Sequence, residues 1–429
     1  GIQGKAERLA DAVVPFNFAL AGLVFLATRS LARAASVLMV DYSCALRLAT
    51  PLAILTAMKQ GTHTGVLVKG GRYLEALAEV DTVVLDKTGT LTQASPKLSD
   101  VVSLDSSRTE DEVLALAACL EEHFPHPASR AVVRAAQERG LDHFTEEHDS
   151  TVKYVVAHGI CSSVDGEKVI IGSRHFIEED EKVDVSAATE HVERLAEQGK
   201  SILYMALGGK LIGILGIVDP LRPESREVIA ALRRRGIRRI VMLTGDDART
   251  AKNVAQALGI QEFRAQVLPT DKAGHVQALK KEGCKVLMIG DGVNDSPALS
   301  CADVGATLKE VADVVLMNNS LADLPYAIDL GRATMARIKE NFTVSVGLNT
   351  GFLAGGLTGV LTPATGAVLH NMTTIGVCLN AMRPPMSGSA NDKHWIAEAA
   401  SFLASCSETT DGKKAAEKLL EAADMKETV

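Results

Sequence analysis

Three short apolar runs constrain what this 429-residue chain can fold into. They are Thr82-Val83-Val84-Leu85-Asp86, Arg239-Ile240-Val241-Met242-Leu243-Thr244 and Lys285-Val286-Leu287-Met288-Ile289-Gly290. Each ends in loop-forming residues, and a helix-like stretch follows each. Unbroken apolar runs of this length are strands covered on both faces, the pattern of a parallel sheet with crossover helices. The fold class is therefore α/β. Residues 96–209 read differently, with one helical stretch over 110–139 and alternating segments at 153–158 and 168–171. A turn at Asp165-Gly166 makes those segments an antiparallel sheet. This α+β region reads as a domain inserted after the first strand of the parallel sheet.

Four longer apolar stretches flank that body, at 12–28, 34–57, 343–361 and 363–381. Each approaches the ~20 residues of a membrane-crossing helix. The other reading is buried helices of a large soluble domain. Gly351 and Gly355 form a GxxxG, a spacing used for close helix contact in lipid. The Arg and Lys residues around these stretches do not fall on one side, so the large polar middle region is the stronger guide and is expected to be cytoplasmic. Hydrophobic residues make up 47% and charged residues 23%, which excludes a disordered or fibrous chain. A net charge of −8 argues against nucleic acid as a partner. Seven cysteines without a CxxC pair exclude a disulfide framework and a zinc finger, and point to a reducing compartment. The chain opens on Gly1 with no signal peptide, and is expected to be a fragment. The domain reading is 1–80 and 339–386, which carry the apolar stretches as membrane helices; 81–95 and 210–338, the parallel-sheet domain; 96–209, the inserted domain; and 387–429, a polar tail with a short amphipathic helix at 415–423.

The strand ends carry chemistry. In an open α/β sheet the carboxyl ends of the strands face the ligand crevice. Asp86, first in Asp86-Lys87-Thr88-Gly89-Thr90-Leu91-Thr92, is placed to attack a phosphoryl group. The Gly and Thr residues after it offer N–H groups and hydroxyls to phosphate oxygens. In Thr244-Gly245-Asp246 a hydroxyl and an amide can hold the transferring phosphate. Lys272, in Leu268-Pro269-Thr270-Asp271-Lys272, supplies an ammonium. Asp291 and Asp295, in Gly290-Asp291-Gly292-Val293-Asn294-Asp295, supply hard oxygen ligands for Mg²⁺.

These motifs, in this order, resemble the phosphorylation domain of P-type ATPases, members of the haloacid dehalogenase superfamily. The resemblance runs to about Arg383. It implies a haloacid-dehalogenase-like parallel-sheet domain with an inserted nucleotide-binding domain, flanked by transmembrane α-helices. It implies that ATP phosphorylates Asp86, that Asp86, the Thr88 carbonyl and Asp291 hold Mg²⁺, and that Lys272 and Thr244 stabilise the phosphate. Soluble phosphatases of the superfamily carry a second Asp two positions after the nucleophile. Here that position is Thr88, which cannot act as an acid or base at neutral pH. His126-Pro127 resembles the His-Pro dipeptide of heavy-metal pumps, which lies near adenine. The GxG of those pumps reads Ala157-His158-Gly159 here, and their Gly-Asn or Gly-Asp reads Gly172-Ser173. Gly159, Gly172, Gly245 and Asp246 join His126 and Pro127 as nucleotide-binding candidates.

Asp41-Tyr42-Ser43-Cys44-Ala45-Leu46-Arg47-Leu48-Ala49-Thr50-Pro51 resembles the pumps' Cys-Pro-Cys motif, with only the second Cys kept, as Cys44. Ionisable and thiol groups inside a membrane helix are functional candidates. Cys44, Asp41, Ser43, His370, Asn371, Thr373, Thr374 and Asn349 offer a mixed S/N/O set. Such a set suits a divalent Zn, Co, Ni, Fe or Mn ion better than monovalent copper, which wants two thiolates. Cys44 as a small core residue and His370 as an interfacial one stay open, and Arg47 has no counterpart in the family pattern. No Thr-Gly-Glu of an actuator domain occurs, so that domain and the first helices are expected to be missing partners. The expected function is ATP-driven translocation of a transition-metal cation through an aspartyl phosphate, in a protein integral to the plasma (inner) membrane. A membrane-anchored phosphohydrolase of the same superfamily is the alternative.

Overall fold

The computed structural model describes residues 2–39, 43–122, 127–141, 153–155, 159–164, 166–292, 295–308 and 312–386. The expected tail helix at 415–423 lies outside them. The chain divides into two compact units, one of residues 1–79 with 326–429 and one of residues 80–325.

The second unit holds a parallel and an antiparallel sheet. Six of its strands run parallel in the order Val314–Leu316, Val304–Thr307, Val286–Gly290, Thr82–Asp86, Arg239–Leu243 and Glu262–Arg264. Thr82–Asp86 lies inside this row, and all of its residues are buried. Helices Ala248–Leu258 and Pro269–Lys281 make two of the crossovers. The first starts at Asp247, whose carboxylate accepts from the Arg249 and Thr250 amides, and stops at Gly259 in the left-handed region. Those are the usual start and stop signals. Val276 and Leu279 of the second pack with Val84, Val241, Val286 and Met288 from the strands.

The antiparallel sheet has the order Lys97–Ser103, Lys210–Val218, Ser201–Leu207, Glu167–Gly172, Gly159–Val164 and Lys153–Val155. Strand Lys210–Val218 pairs with Lys97–Ser103 and Ser201–Leu207. The boundary read at 209 therefore falls in a hairpin turn, and this sheet runs on to Val218. Gly208 and Gly209 both have positive φ, the signature of that tight turn, which in sequence looks like a linker. The helical stretch read over 110–139 is two helices, Glu110–Glu121 and Pro127–Glu138. Pro127 has no N–H and fits only a first turn. A capping box of Thr109 and Glu112 fixes the first helix start. Alternation along the strands serves both faces. Ile171 and Met205 pack with Val113, Leu120 and Val132, whereas Ile170 and Tyr204 pack with Phe176, Ile177 and Leu195.

The first unit is helical, with Ile2–Thr28, Leu31–Met39, Ser43–His63, Gly71–Glu79, the long helix Asp323–Thr358 from Tyr326 onward, and Pro363–Ala381. Ala45, Ala49 and Ala53, four residues apart, make a small-residue face that packs with Ile338, Val377, Cys378 and Ala381. The described residues of the four apolar stretches are helical, apart from 359–361 beyond the end of the third. Among the described residues, however, no helix is long and apolar enough to cross a membrane, which corrects the reading from run length alone. The reason is in the last two stretches, where Asn349, His370 and Thr373 interrupt the apolar residues and are buried. Large apolar side chains instead point outward, among them Phe16, Leu31, Leu55, Val360, Val368 and Met372. Only one glycine of the GxxxG is closely packed: a Cβ on Gly355 would lie 2.7 Å from Leu361 Cδ1. A Cβ on Gly351 would touch nothing within 4 Å, whereas one on Gly356 would lie 2.7 Å from the Ser36 Cβ.

Gly159 and Gly172 sit opposite each other in the antiparallel ladder. A Cβ on Gly159 would fall 2.5 Å from the Ile171 carbonyl oxygen and 2.6 Å from the buried Phe176 ring. Gly159→Ala is expected to cost about 1–3 kcal/mol of stability through overpacking. Urea unfolding followed by tryptophan-independent circular dichroism measures it, and an unchanged midpoint would refute the packing role.

Candidate active site

The parallel register sets three loops side by side. Asp86 pairs with Leu243 and Leu85 with Ile289, so Asp86 lies between Thr244-Gly245-Asp246 and Gly290-Asp291. Lys272, in the first turn of its helix, reaches this edge. Its Nζ is 2.7 Å from Asp86 Oδ1 and 2.7 Å from Asp295 Oδ1, and all three residues are buried. Asp295 Oδ2 accepts from the Asp291 amide at 3.3 Å. Gly290 makes room for it, because a Cβ there would meet the Asp295 carboxylate at 2.3 Å.

The site is short of positive charge. Burial pushes the Asp86 carboxyl up to about 7; Lys272 opposes that rise, and the Asp295 and Asp291 carboxylates add to it. Burial alone would lower the Lys272 ammonium, but Asp86 and Asp295 together hold it above its usual value. Three carboxylates face one ammonium, so a divalent cation is the natural complement. Among the described residues no group of three His, Cys, Asp or Glu could hold a metal. Both oxygens of Asp295 are engaged, one by Lys272 and one by the Asp291 amide, whereas Asp86 gives only Oδ1 to Lys272. Asp86 and Asp291 remain, and two carboxylates beside a phosphate fit Mg²⁺, which rarely uses an all-protein cage.

The loop after Asp86 is held by residues that the sequence reading did not single out. Gly89 has φ +78°, and its amide donates to Thr92 Oγ1 at 2.9 Å. The Thr92 hydroxyl donates to Asp219. Arg222 donates to the Thr92 carbonyl at 3.0 Å, the Gly89 carbonyl at 3.3 Å and the Asn319 carbonyl at 2.7 Å. Ser225 Oγ donates to the Leu91 carbonyl at 2.9 Å. The Thr90 hydroxyl is fully buried and has no protein partner among the described residues. A sequence signal did exist, in Asp219-Pro220-Leu221-Arg222-Pro223: an acid and a base, each directly before a proline, just after a strand.

Lys87 and Asp246 form a buried ion pair, and Ser201 Oγ donates to Asp246 Oδ1 at 2.6 Å. The Thr244 hydroxyl donates to Asp246 Oδ2 at 2.9 Å. Burial alone would raise the Asp246 carboxyl, but Lys87, Ser201 and Thr244 hold it below its usual value. Asp246 therefore anchors the Thr244-Gly245 turn through Lys87, Ser201 and Thr244. Thr244 is buried beside Asp86's strand end, and the Thr88 side chain is exposed.

Other candidates lie elsewhere. His126 and the Pro127 side chain are outside the described residues, as are Asp41 and the Cys44 side chain. In the helical unit, His370 Nδ1 is 3.2 Å from Asn349 Oδ1 and both are buried. Thr373 is buried on the same helix face, with its hydroxyl donated to the Leu369 carbonyl at 3.0 Å. Asn371 is exposed, one residue off that face, and does not join the others.

A parallel sheet with a carboxylate, a Thr-Gly turn, a Lys and a Gly-Asp loop along one edge defines an α/β hydrolase site. Residues 80–303, just over half of the chain, match the family model described as haloacid dehalogenase-like hydrolase, and the chain belongs to that family. It is 39% identical over 391 residues to a manganese-exporting P-type ATPase of Mycobacterium leprae, covering 89% of this chain and 53% of that one. It is 37% identical over 390 residues to a zinc-exporting P-type ATPase of Mycobacterium marinum, with the same coverage. A probable copper-exporting P-type ATPase of Mycobacterium tuberculosis is 34% identical over 397 residues, or 89% and 51% of the two chains. Among solved structures, a zinc-transporting PIB-type ATPase in the E2.Pi state is similar with a TM-score of 0.65 and 32% identity, over 88% of this chain and 63% of that one. The chain thus spans about half the length of the curated relatives it matches.

The raised Asp86 carboxyl makes a stability prediction. A folded value of about 7 against 3.8 for a free carboxyl means the folded state holds the extra proton between those values. Stability from this group is full below the lower value and is lost as pH rises through the upper one. Asp86→Asn, neutral throughout, is expected to match the parent's melting temperature near pH 4 and exceed it increasingly towards pH 7.5. Added Mg²⁺ is expected to narrow the gap. A gap independent of pH would refute the assigned cause.

Proposed function

We propose that this chain is the catalytic and ion-binding part of a P-type ATPase, driving a transition-metal cation across a membrane with ATP through a phosphate on Asp86. The observation that carries the reading is Lys272, bridging Asp86 and Asp295 at the edge of the parallel sheet. With Oδ1 held by Lys272, Asp86 Oδ2 is the oxygen left to attack. It bonds to the γ-phosphorus of ATP as the bond to the ADP oxygen breaks, and ADP leaves. Lys272, the Thr244 hydroxyl and the loop amides, with the unpartnered Thr90 hydroxyl among them, take the charge on the phosphoryl oxygens. Mg²⁺, held by Asp86, Asp291 and the Thr88 carbonyl, would supply the remaining positive charge and keep Asp86 ionised. Lys87, tied to Asp246, keeps the loop in place. The nucleotide base is assigned to the inserted domain, near His126 and Pro127, with Gly159 and Gly172 acting through packing. The phosphohydrolase alternative lacks support, because Thr88 offers no acid or base to water.

The cation site is assigned to Cys44, Asp41, His370, Thr373 and Asn349. One thiolate among nitrogen and oxygen donors favours a divalent ion over monovalent copper, and the manganese and zinc exporters among the relatives support that class. The helical unit is placed in a lipid bilayer, in the plasma (inner) membrane, with the catalytic unit on the cytoplasmic side. Its support is the outward Phe16, Leu31, Val360 and Val368 around inward polar groups. In a bundle the polar residues need not face lipid, even where no single helix is apolar enough alone. An actuator domain and further helices are assigned as partners in the whole protein.

Two measurements test this. The full-length protein with γ-labelled ATP should give an acid-stable, hydroxylamine-sensitive phosphoprotein, lost in Asp86→Asn while ATP binding persists; label remaining on the variant would overturn the nucleophile. Thr88→Asp should shorten the phosphoprotein lifetime, and an unchanged decay would count against the role given to that position.

A further inference from the structure

The buried polar groups of the helical unit extend beyond the pair assigned to the cation. Asn341, Ser345 and Asn349 lie four residues apart on helix Asp323–Thr358, so they share one face, a turn apart. All three are buried: Ser345 is 1% exposed. The pairs at either end of this column are tied to helix Pro363–Ala381. Asn380 Nδ2 donates to Asn341 Oδ1 at 2.7 Å, and Asn349 Oδ1 lies 3.2 Å from His370 Nδ1. Beyond Asn380, Arg337 donates to its carbonyl at 2.6 Å and pairs with Glu340 at 3.3 Å, and Arg383 donates to Asn380 Oδ1 at 3.5 Å, so that end carries more basic than acidic groups.

Ser345 sits between the two ties, and its hydroxyl has no partner among the described residues; neither has Asn341 Nδ2. This contrasts with its neighbours. Thr334, Thr343, Thr350, Thr358, Thr373 and Thr374 each donate to the carbonyl four residues back. That is the ordinary way for a helical hydroxyl to be satisfied where water is scarce. A buried hydroxyl left without it costs roughly 1–3 kcal/mol.

We infer that Ser345 is a transit ligand for the translocated cation, one helical turn from the Asn349–His370 pair. This rests on the transport reading above. The hydroxyl oxygen would coordinate the ion directly, with the unpartnered Asn341 Nδ2 one turn away and its Oδ1 held by Asn380. The side chains of the column are neutral, and the coordinating atom is a hard oxygen. It therefore holds the ion weakly, as passage requires, and favours an ion that takes oxygen ligands over one that wants thiolate. Ser345 is in this way a specificity-determining residue for the cation.

The test uses the full-length protein, with Mn²⁺, Zn²⁺ and Cu⁺ each tried as the stimulating ion. Ser345→Ala should lower maximal Mn²⁺-stimulated turnover about fivefold, the scale of one lost polar contact, with the half-stimulating concentration and metal-free ATP binding unchanged. Ser345→Cys, nearly the same size, should raise the Zn²⁺ to Mn²⁺ turnover ratio several-fold. Neither variant should lower the melting temperature, since no hydrogen bond is removed. Parental turnover ratios in both variants would overturn the inference, as would a fall in melting temperature with uniformly reduced activity. Absence of stimulation by any ion in the parent protein would overturn the transport reading itself, and this inference with it.

Discussion

A single ammonium held between two buried carboxylates sets the terms for the catalytic unit. Lys272 could not be placed at the sheet edge without Asp86 and Asp295 to receive it, nor could those carboxylates be buried without it. That one contact draws together three distant stretches of chain: a strand end, the first turn of a helix, and the cap of a second helix. Gly290 follows as a requirement, since any side chain there would displace Asp295. So does the loop clamp. A carboxylate that must meet a phosphoryl group cannot sit on a wandering loop, and Arg222, Asp219 and Ser225 hold the turn after Asp86 at several points.

The groups gathered at the ends of the parallel strands were legible in the sequence because each sits within a residue or two of a strand or helix end, where local pattern fixes its position. Asp86, Thr244, Lys272 and Asp291 could be found that way. The groups that brace them could not. Arg222 reaches Thr92 across 130 positions, and Ser201 reaches Asp246 across 45. No local periodicity encodes such contacts. The same limit explains Asp295, whose composition suits a cation but whose carboxylate is turned to Lys272. The domain edge at 209 was misplaced for a different reason: two successive glycines serve a hairpin as well as a linker.

The helical unit was the less legible half. Run length pointed to crossing helices, yet the helices alternate outward apolar and inward polar side chains, and the average over a window blurs that distinction. What the run of letters conceals is direction. His370 and Asn371 are neighbours in the chain, but one turns to Asn349 and the other to the exterior.

Ser201 belongs to the antiparallel sheet, while Lys87 and Asp246 belong to loops of the parallel one. Its hydroxyl donates to Asp246 and accepts from Lys87 at 3.3 Å. Any swing of the inserted domain that carries Ser201 off must therefore break two polar contacts at once and leave the Lys87–Asp246 pair to water. The loop after Asp86 is thereby tied to the antiparallel sheet through a single hydroxyl, a narrow polar link between the two sheets.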